Sequence, residues 1–101
     1  MKLPSPLETQ LLAIVALYER SGREVAEIYE RETGKEISYG SLYTTFRRMK
    51  EEGWVKVRDD EDEDGRIRFF KIDMDGRRAL ADARGYYSRI ANFGVLEGRS
   101  A

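Results

Sequence analysis

The chain contains no cysteine and no histidine. Disulfide bridges, thiolate or imidazole metal ligands, cysteine nucleophiles and Ser-His-Asp triads are therefore excluded. Long apolar runs are also missing. The longest covers residues 11–18, which is eight residues, whereas a membrane-spanning helix needs roughly 20. Because no segment resembles an export signal either, we expect a cytoplasmic protein without membrane contact.

Length and charge set the next limits. A chain of 101 residues predicts one domain with one modest core. The net charge is −1, which is low for a protein that binds nucleic acid. Six consecutive acids at positions 59–64 account for it, and the rest of the chain is net basic. A run of acids is usually a solvated loop, so the total charge says little against nucleic-acid binding.

Local signals predict where the helices begin and end. Ser5 with Glu8, and Ser21 with Glu24, each match the capping box that opens a helix. Gly34 is placed to end the second helix, since glycine accepts the left-handed conformation that closes many helices. A third helix is predicted to begin near position 38, and a last helix to cover positions 74–93.

The third helix has the surface expected of a recognition helix. One stripe is apolar, while the opposite face carries small hydroxyl residues with a basic end, which suits a helix lying in the major groove of DNA. We predict that Ser41, Thr44 and Thr45 contact base edges. The residues that border this face and are predicted to meet the DNA backbone are Tyr39, Tyr43, Arg47 and Arg48. Arg48, at the far end of the face, is able to reach either backbone or bases.

Two β-rich segments follow the third helix. Residues 54–58 and 65–72 alternate apolar and polar side chains as strands do. We predict a hairpin, or wing, with the acids of residues 59–64 as a solvated loop at its tip. Arg66 and Arg68 then contact phosphates from the wing. Trp54 and Phe70 are expected in the core.

The predicted fold class is mainly α with a two-stranded β-wing (α+β). A winged helix-turn-helix at residues 1–73 is followed by a dimerisation helix at 74–93 and a flexible tail at 94–101. The first and last helices are apolar over more than one face, which predicts a homodimer. The residues predicted at the dimer interface are Leu11, Val15, Leu80, Ala83, Tyr87 and Ile90.

Other functions fit the sequence less well. Alternating acids from Asp60 to Asp64, followed by Gly65, match part of an EF-hand loop. Lys71 stands where that loop needs a bidentate glutamate, so we predict no metal and no cofactor. The acids lie in charged runs rather than pockets, so an enzyme is not expected. A winged helix that binds protein instead of DNA is the remaining alternative, because acids at the wing tip repel phosphates.

Several motifs together resemble the PadR family of bacterial transcriptional regulators. They are Gly40-Ser41-Leu42-Tyr43, Arg48, Glu52-Gly53, Gly65-Arg66-x-Arg68 and Asp73-x-x-Gly76-Arg77. The likeness covers residues 7–92 and is closest to the compact members with one short last helix. It implies a homodimeric regulator, expected here to be a repressor of a pseudo-palindromic operator in double-stranded DNA.

The resemblance also raises the question of an effector. Compact relatives can bind flat aromatic molecules between their dimer helices. The aromatic side chains that such a molecule would contact are Tyr18, Tyr86, Tyr87 and Phe93. The simpler expectation is that these aromatics only pack a dimer interface, and the sequence leaves the effector site open as the alternative.

Overall fold

The computed structural model of the chain describes residues 2–63 and 65–93. Within these residues it contains four helices and one three-stranded antiparallel sheet of order β1-β3-β2. The predicted α+β class is confirmed, and the predicted tail at 94–101 lies outside the described residues. In chain order the elements are α1 Pro6–Ile14, β1 Arg20–Ser21, α2 Gly22–Thr33, α3 Tyr39–Glu51, β2 Val55–Asp62, β3 Gly65–Ile72 and α4 Met74–Ala91.

The predicted helix starts are confirmed by their hydrogen bonds. The Ser5 hydroxyl accepts from the Glu8 N–H at 3.1 Å, and the Glu8 carboxylate accepts from the Ser5 N–H at 2.8 Å. Ser21 and Glu24 repeat the arrangement at the start of α2. Gly34 ends α2 with φ at 72°, a conformation that costs glycine little. No helix in the described part of the chain is long and apolar enough to cross a membrane.

Helix α1 ends inside the apolar run of residues 11–18. It ends at Ile14, and the apolar residues that follow continue into a turn and the short strand β1. The backbone N–H of Ile72 donates to the carbonyl of Val15 at 3.2 Å, which ties the end of α1 to the end of β3. Strand β1 pairs with Phe69 and Phe70 of β3, so the wing is part of a three-stranded sheet rather than a two-stranded hairpin.

The wing is longer and more regular than predicted. Strands β2 and β3 pair from Val55 opposite Ile72 to Asp62 opposite Gly65, which leaves only residues 63 and 64 between them. The prediction of a solvated loop over residues 59–64 is therefore wrong, because residues 59–62 belong to β2. Two of these acids face arginines of β3, Asp59 opposite Arg68 and Glu61 opposite Arg66, and opposite charges across a strand pair stabilise it.

The core lies where the helices meet the sheet. Phe46 of α3 stacks on Phe70 of β3, with ring centroids 4.1 Å apart. Trp54 and Phe70 are buried, as predicted. The buried apolar residues that form this core are Leu11, Leu12, Val15, Val25, Leu42, Phe46, Met49, Trp54, Val55, Phe70, Ile72, Ala79 and Leu80.

Most of the predicted dimer-interface residues are in the core of a single chain. Leu11, Val15, Leu80 and Ala83 are at most 4% exposed, so their assignment to an interface is wrong. The Tyr87 hydroxyl donates to the carbonyl of Pro4 at 2.8 Å, which engages this side chain within the chain as well. Of the predicted set only Ile90 is exposed. The large apolar side chains that stay exposed after α1, on α4 and just after the end of α4 are Leu17, Tyr18, Met74, Tyr86, Ile90 and Phe93.

Helix α4 begins very close to the base of the wing. The Asp73 N–H donates to the Trp54 carbonyl at 2.8 Å. A Cβ atom at Gly76 would lie only 2.0 Å from that carbonyl oxygen. Only glycine therefore fits at this position, and α4 is fixed against the chain segment that enters β2.

Candidate nucleic-acid interface

The outer face of α3 is polar and open. The Ser38 hydroxyl caps the helix by accepting from the Ser41 N–H at 3.1 Å. One turn on from Ser41, Thr44 is exposed, and Arg47 and Arg48 follow it, both exposed. Neither arginine forms an ion pair within residues 2–63 and 65–93. The face thus combines small hydroxyl groups with cations whose charge is not compensated.

Thr45 does not belong to this face. It is 3% exposed, and its hydroxyl donates to the carbonyl of Ser41 at 2.7 Å. It stands three positions after Leu42 and four before Met49, so the helical period places it on the inner side with them. The prediction that Thr45 contacts bases is therefore wrong, and the hydroxyl is used inside the helix.

Tyr43 joins α3 to the rest of the domain. Its ring lies 5.8 Å from that of Phe70 and 6.2 Å from that of Tyr39. A Cβ atom at Gly22 would lie 2.6 Å from the Tyr43 hydroxyl, so the start of α2 approaches this side chain closely. Tyr43 is half-buried, whereas Tyr39 is 52% exposed. Tyr39 is therefore the more accessible of the two tyrosines predicted to meet the DNA backbone.

The two predicted wing arginines converge on one carboxylate. Arg66 Nη2 donates to Asp59 Oδ2 at 2.6 Å, and Arg68 Nε donates to Asp59 Oδ1 at 2.9 Å. The hydrogen bond from Arg68, followed by that from Arg66, holds the pKa of the Asp59 carboxyl below its ordinary value. The Arg68 guanidinium also lies 5.9 Å from the centroid of the Tyr43 ring, which links the wing to α3.

A second charge cluster on the wing could not be found from the sequence. Arg58 Nη2 donates to Glu19 Oε1 at 2.6 Å, and Arg58 Nη1 donates to Asp60 Oδ2 at 3.1 Å. The hydrogen bond from Arg58 lowers the pKa of Glu19. Glu19 lies in the connection just before β1, far from Arg58 along the chain. The sequence carries no local signal for this pair.

Concave surfaces lie on both sides of the contact between α3 and the wing. A groove of about 510 Å³ runs between the wing and the first turns of α2 and α3, with Tyr39 and Arg66 among its lining residues. A second groove, of about 300 Å³, is lined in part by Arg47, Lys50 and Arg68. Basic side chains of the helix and the wing thus line a groove on each side of this contact, together with the acids Asp59 and Asp62.

Residues 11–82 match the model of the PadR-like family of transcriptional regulators. This chain belongs to that family. The matched segment runs from α1 into α4 and includes the whole of α3 and the wing. A search of curated proteins finds no match.

Solved structures of PadR-like regulators share the fold. A regulator from Bacillus cereus is 21% identical with a TM-score of 0.74, and the alignment covers 85% of this chain and 84% of that one. A PadR family regulator from Clostridium difficile is 18% identical with a TM-score of 0.75, covering 87% and 93%. Bacillus subtilis PadR, solved with operator DNA, is 17% identical with a TM-score of 0.70; 77% of this chain aligns with 47% of that chain.

That Tyr18, Tyr86, Tyr87 and Phe93 line an effector site between two chains stays a prediction. Tyr18 lies under the Arg20 guanidinium, 5.4 Å away, beside an apolar cleft of about 380 Å³ between α1 and α2. Tyr86 and Tyr87 contact each other on α4, with ring centroids 5.3 Å apart. Within the described residues, no three acidic side chains are placed to hold a metal ion.

Proposed function

We propose that this PadR-like regulator binds double-stranded DNA through the outer face of α3 and the wing. One observation carries the proposal. Ser41 and Thr44 are exposed beside Arg47 and Arg48, and neither arginine has an acid partner in the described residues. Hydroxyl groups can hydrogen-bond to base edges, and unpaired arginines bind phosphates or guanine. The complex of Bacillus subtilis PadR with operator DNA supports the same partner for this chain.

The two parts of the interface take different roles in this proposal. Ser41 and Thr44 read base edges from the major groove, and Arg48 reaches either bases or backbone. Tyr39 and Arg47 contact the DNA backbone, with Tyr43 supporting Tyr39 from behind. Arg66 and Arg68 contact phosphates from the wing, whose acidic tip stays outside the groove.

We further propose that the regulator acts as a homodimer. Tyr86 and Ile90 on α4, and Phe93 just after its end, recur at helical spacing and stay exposed. Leu17 and Tyr18 are 82% and 65% exposed beside the apolar cleft. Large exposed apolar side chains in two patches are typical of an association surface. A two-fold dimer places two α3 helices about one helical turn of DNA apart, roughly 34 Å, and so selects a pseudo-palindromic operator. Occupying that operator blocks transcription, which makes repression the expected outcome.

The dimer is tested by light scattering at micromolar concentration. We expect Ile90→Asp to give a folded monomer, because it buries a charge in the interface. Ser88→Asp is the matched control, since it introduces the same charge on the opposite side of α4 and should stay dimeric. A folded monomer for the unsubstituted protein would contradict the proposal.

DNA binding is tested by unbiased selection of fragments from the source genome at two salt concentrations. We expect a small set of enriched fragments that share two inverted half-sites about one helical turn apart. The set should persist at the higher salt, because base contacts depend less on salt than phosphate contacts do. If no fragment is enriched at either salt, the wing's acids favour the alternative of a protein-binding winged helix.

A further inference from the structure

The wing holds a carboxylate where its arginines would meet phosphate. Asp59 uses both oxygens, one for Arg66 and one for Arg68, at 2.6 and 2.9 Å. A DNA phosphate offers the same two guanidinium groups an oxygen anion of similar size. The acid therefore occupies, from within the chain, the position of the ligand.

The exposure of these three side chains favours exchange of the Asp59 carboxylate for a phosphate. They are 68%, 44% and 31% exposed for Arg66, Arg68 and Asp59 respectively, and exposed ion pairs contribute little to stability. A phosphate can therefore displace the carboxylate without unfolding the wing. One carboxylate shared by two arginines also leaves the cluster with one positive charge instead of two.

We propose that Asp59 is an internal competitor for DNA phosphate, which lowers the affinity of the wing for DNA of any sequence. This inference rests on the proposed DNA-binding function and adds a regulation of that interface. By weakening the contact that is blind to sequence, Asp59 makes lasting occupancy depend on the base contacts of α3. Random DNA then holds the regulator less well.

Competition by Asp59 and positioning by Asp59 predict opposite effects on DNA binding. If Asp59 mainly oriented the two arginines for DNA, its removal would weaken binding. Arg68 has a second means of orientation, since its guanidinium lies 5.9 Å from the centroid of the Tyr43 ring. The charge of Asp59, by contrast, would stay within a few ångströms of any bound phosphate and repel it. Competition is therefore the larger effect, and removal should strengthen binding.

The test substitutes Asp59→Asn, which keeps the shape and removes the charge. Its matched control is Glu61→Gln, two positions along the same strand and on the same face. Glu61 loses the same charge and stands opposite Arg66 in the strand register, but it forms no ion pair to an arginine in the described residues. Binding to a random-sequence duplex of about three helical turns and to the selected operator is measured between about 0.05 and 0.2 M salt.

We expect Asp59→Asn to tighten binding to both duplexes by the same factor, roughly an order of magnitude at 0.1 M salt, and to steepen the salt dependence by about one unit. Glu61→Gln should change binding much less. In an Arg66→Ala/Arg68→Ala background, Asp59→Asn should do no more than Glu61→Gln does. Thermal unfolding of each variant establishes that it is folded.

Two results would overturn the inference while leaving the proposed function intact. One is DNA binding by the unsubstituted protein that Asp59→Asn leaves unchanged or weakens. The other is an equal gain from Asp59→Asn and Glu61→Gln, which would assign the effect to overall charge. If no variant bound DNA, the proposed function itself would fail and this inference with it.

Discussion

Helix α3 and the wing both present basic side chains to the same region, but the charges are in different states. Arg47 and Arg48 on α3 have no acid partner in the described residues, whereas Arg66 and Arg68 on the wing share Asp59. The number of cations near a surface therefore does not give its attraction for phosphate. The proposed contacts of α3 start from free cations, and those of the wing start from an ion pair that must be exchanged.

The two regions also depend on a common support. Phe46 on the inner face of α3 stacks on Phe70 in β3, and the Arg68 guanidinium lies over Tyr43. Helix and wing are thus held at a fixed distance by core packing while their charged surfaces differ. Substitutions can break the shared support or act on one region alone.

The largest effect is expected from breaking the shared support. Phe46→Ala removes the ring that α3 places against the sheet, and it should lower the free energy of unfolding by about 3–5 kcal/mol. Urea denaturation measures this loss. Phe69→Ala is the control, because Phe69 is only half-buried on the wing and should cost clearly less. Equal losses would mean that the contact between Phe46 and Phe70 does not join the two regions.

The next effect separates base contacts from phosphate contacts. Thr44→Ala should narrow the difference in binding free energy between operator and random DNA by about 1–3 kcal/mol, because the exposed hydroxyl is proposed to read a base edge. Competition between labelled operator and random duplex measures it. Thr45→Ser keeps the buried hydroxyl bond to Ser41 and should leave the difference unchanged. A similar loss from both variants would contradict the assignment of Thr44.

A smaller effect is expected on the salt dependence of DNA binding, which distinguishes an arginine without an acid partner from one in an ion pair. Arg47→Ala should flatten the salt dependence of DNA binding by about one unit, the value of one lost phosphate contact. Arg66→Ala should flatten it by less, because the Arg66 charge is already partly neutralised by its ion pair with Asp59. Titrations at several salt concentrations give both slopes. Equal slopes for the two variants would show that the ion pair on the wing does not attenuate the contact.

The smallest effect is expected on the stability of the protein at acidic pH. The pKa of Asp59 is lowered in the folded protein by Arg68 and Arg66. Its contribution to stability is therefore complete above the pKa of an unfolded aspartate, about 4, and is lost as pH falls through the lower folded value. Asp59→Asn should make stability fall less steeply below about pH 4. Thermal unfolding between neutral and acid pH measures this, and parallel curves for the two proteins would contradict it.

The parts of the fold that were predicted are those fixed by local chemistry. The capping boxes at Ser5 and Ser21 and the left-handed Gly34 act within a few residues of themselves, so the sequence shows them directly. Strand β1 was missed because two residues have no period to read. It exists only because Phe69 and Phe70 lie opposite it.

The errors at the candidate sites have a related cause. The sequence shows that Leu11 and Leu80 are apolar but not whether their own chain or a second chain covers them. Thr45 is a small polar residue, so its chemistry suggested the outer face of α3, but the structure places it on the inner side with its hydroxyl bonded inside the helix. The pairing of Asp59 with two arginines depends on the register of β2 and β3, which composition does not fix.

The order of the sheet gives the acids of β2 a second consequence. Strand β2 is at one end of the sheet, and no strand pairs with its outer edge in the part of the chain that the structure describes. An open edge can pair with the same edge of another molecule and start aggregation. In an antiparallel pairing of two such edges, the acids at positions 59–62 would face those of the other copy, and like charges placed opposite each other are destabilising. The acidic strand therefore helps to keep the wing soluble at high protein concentration.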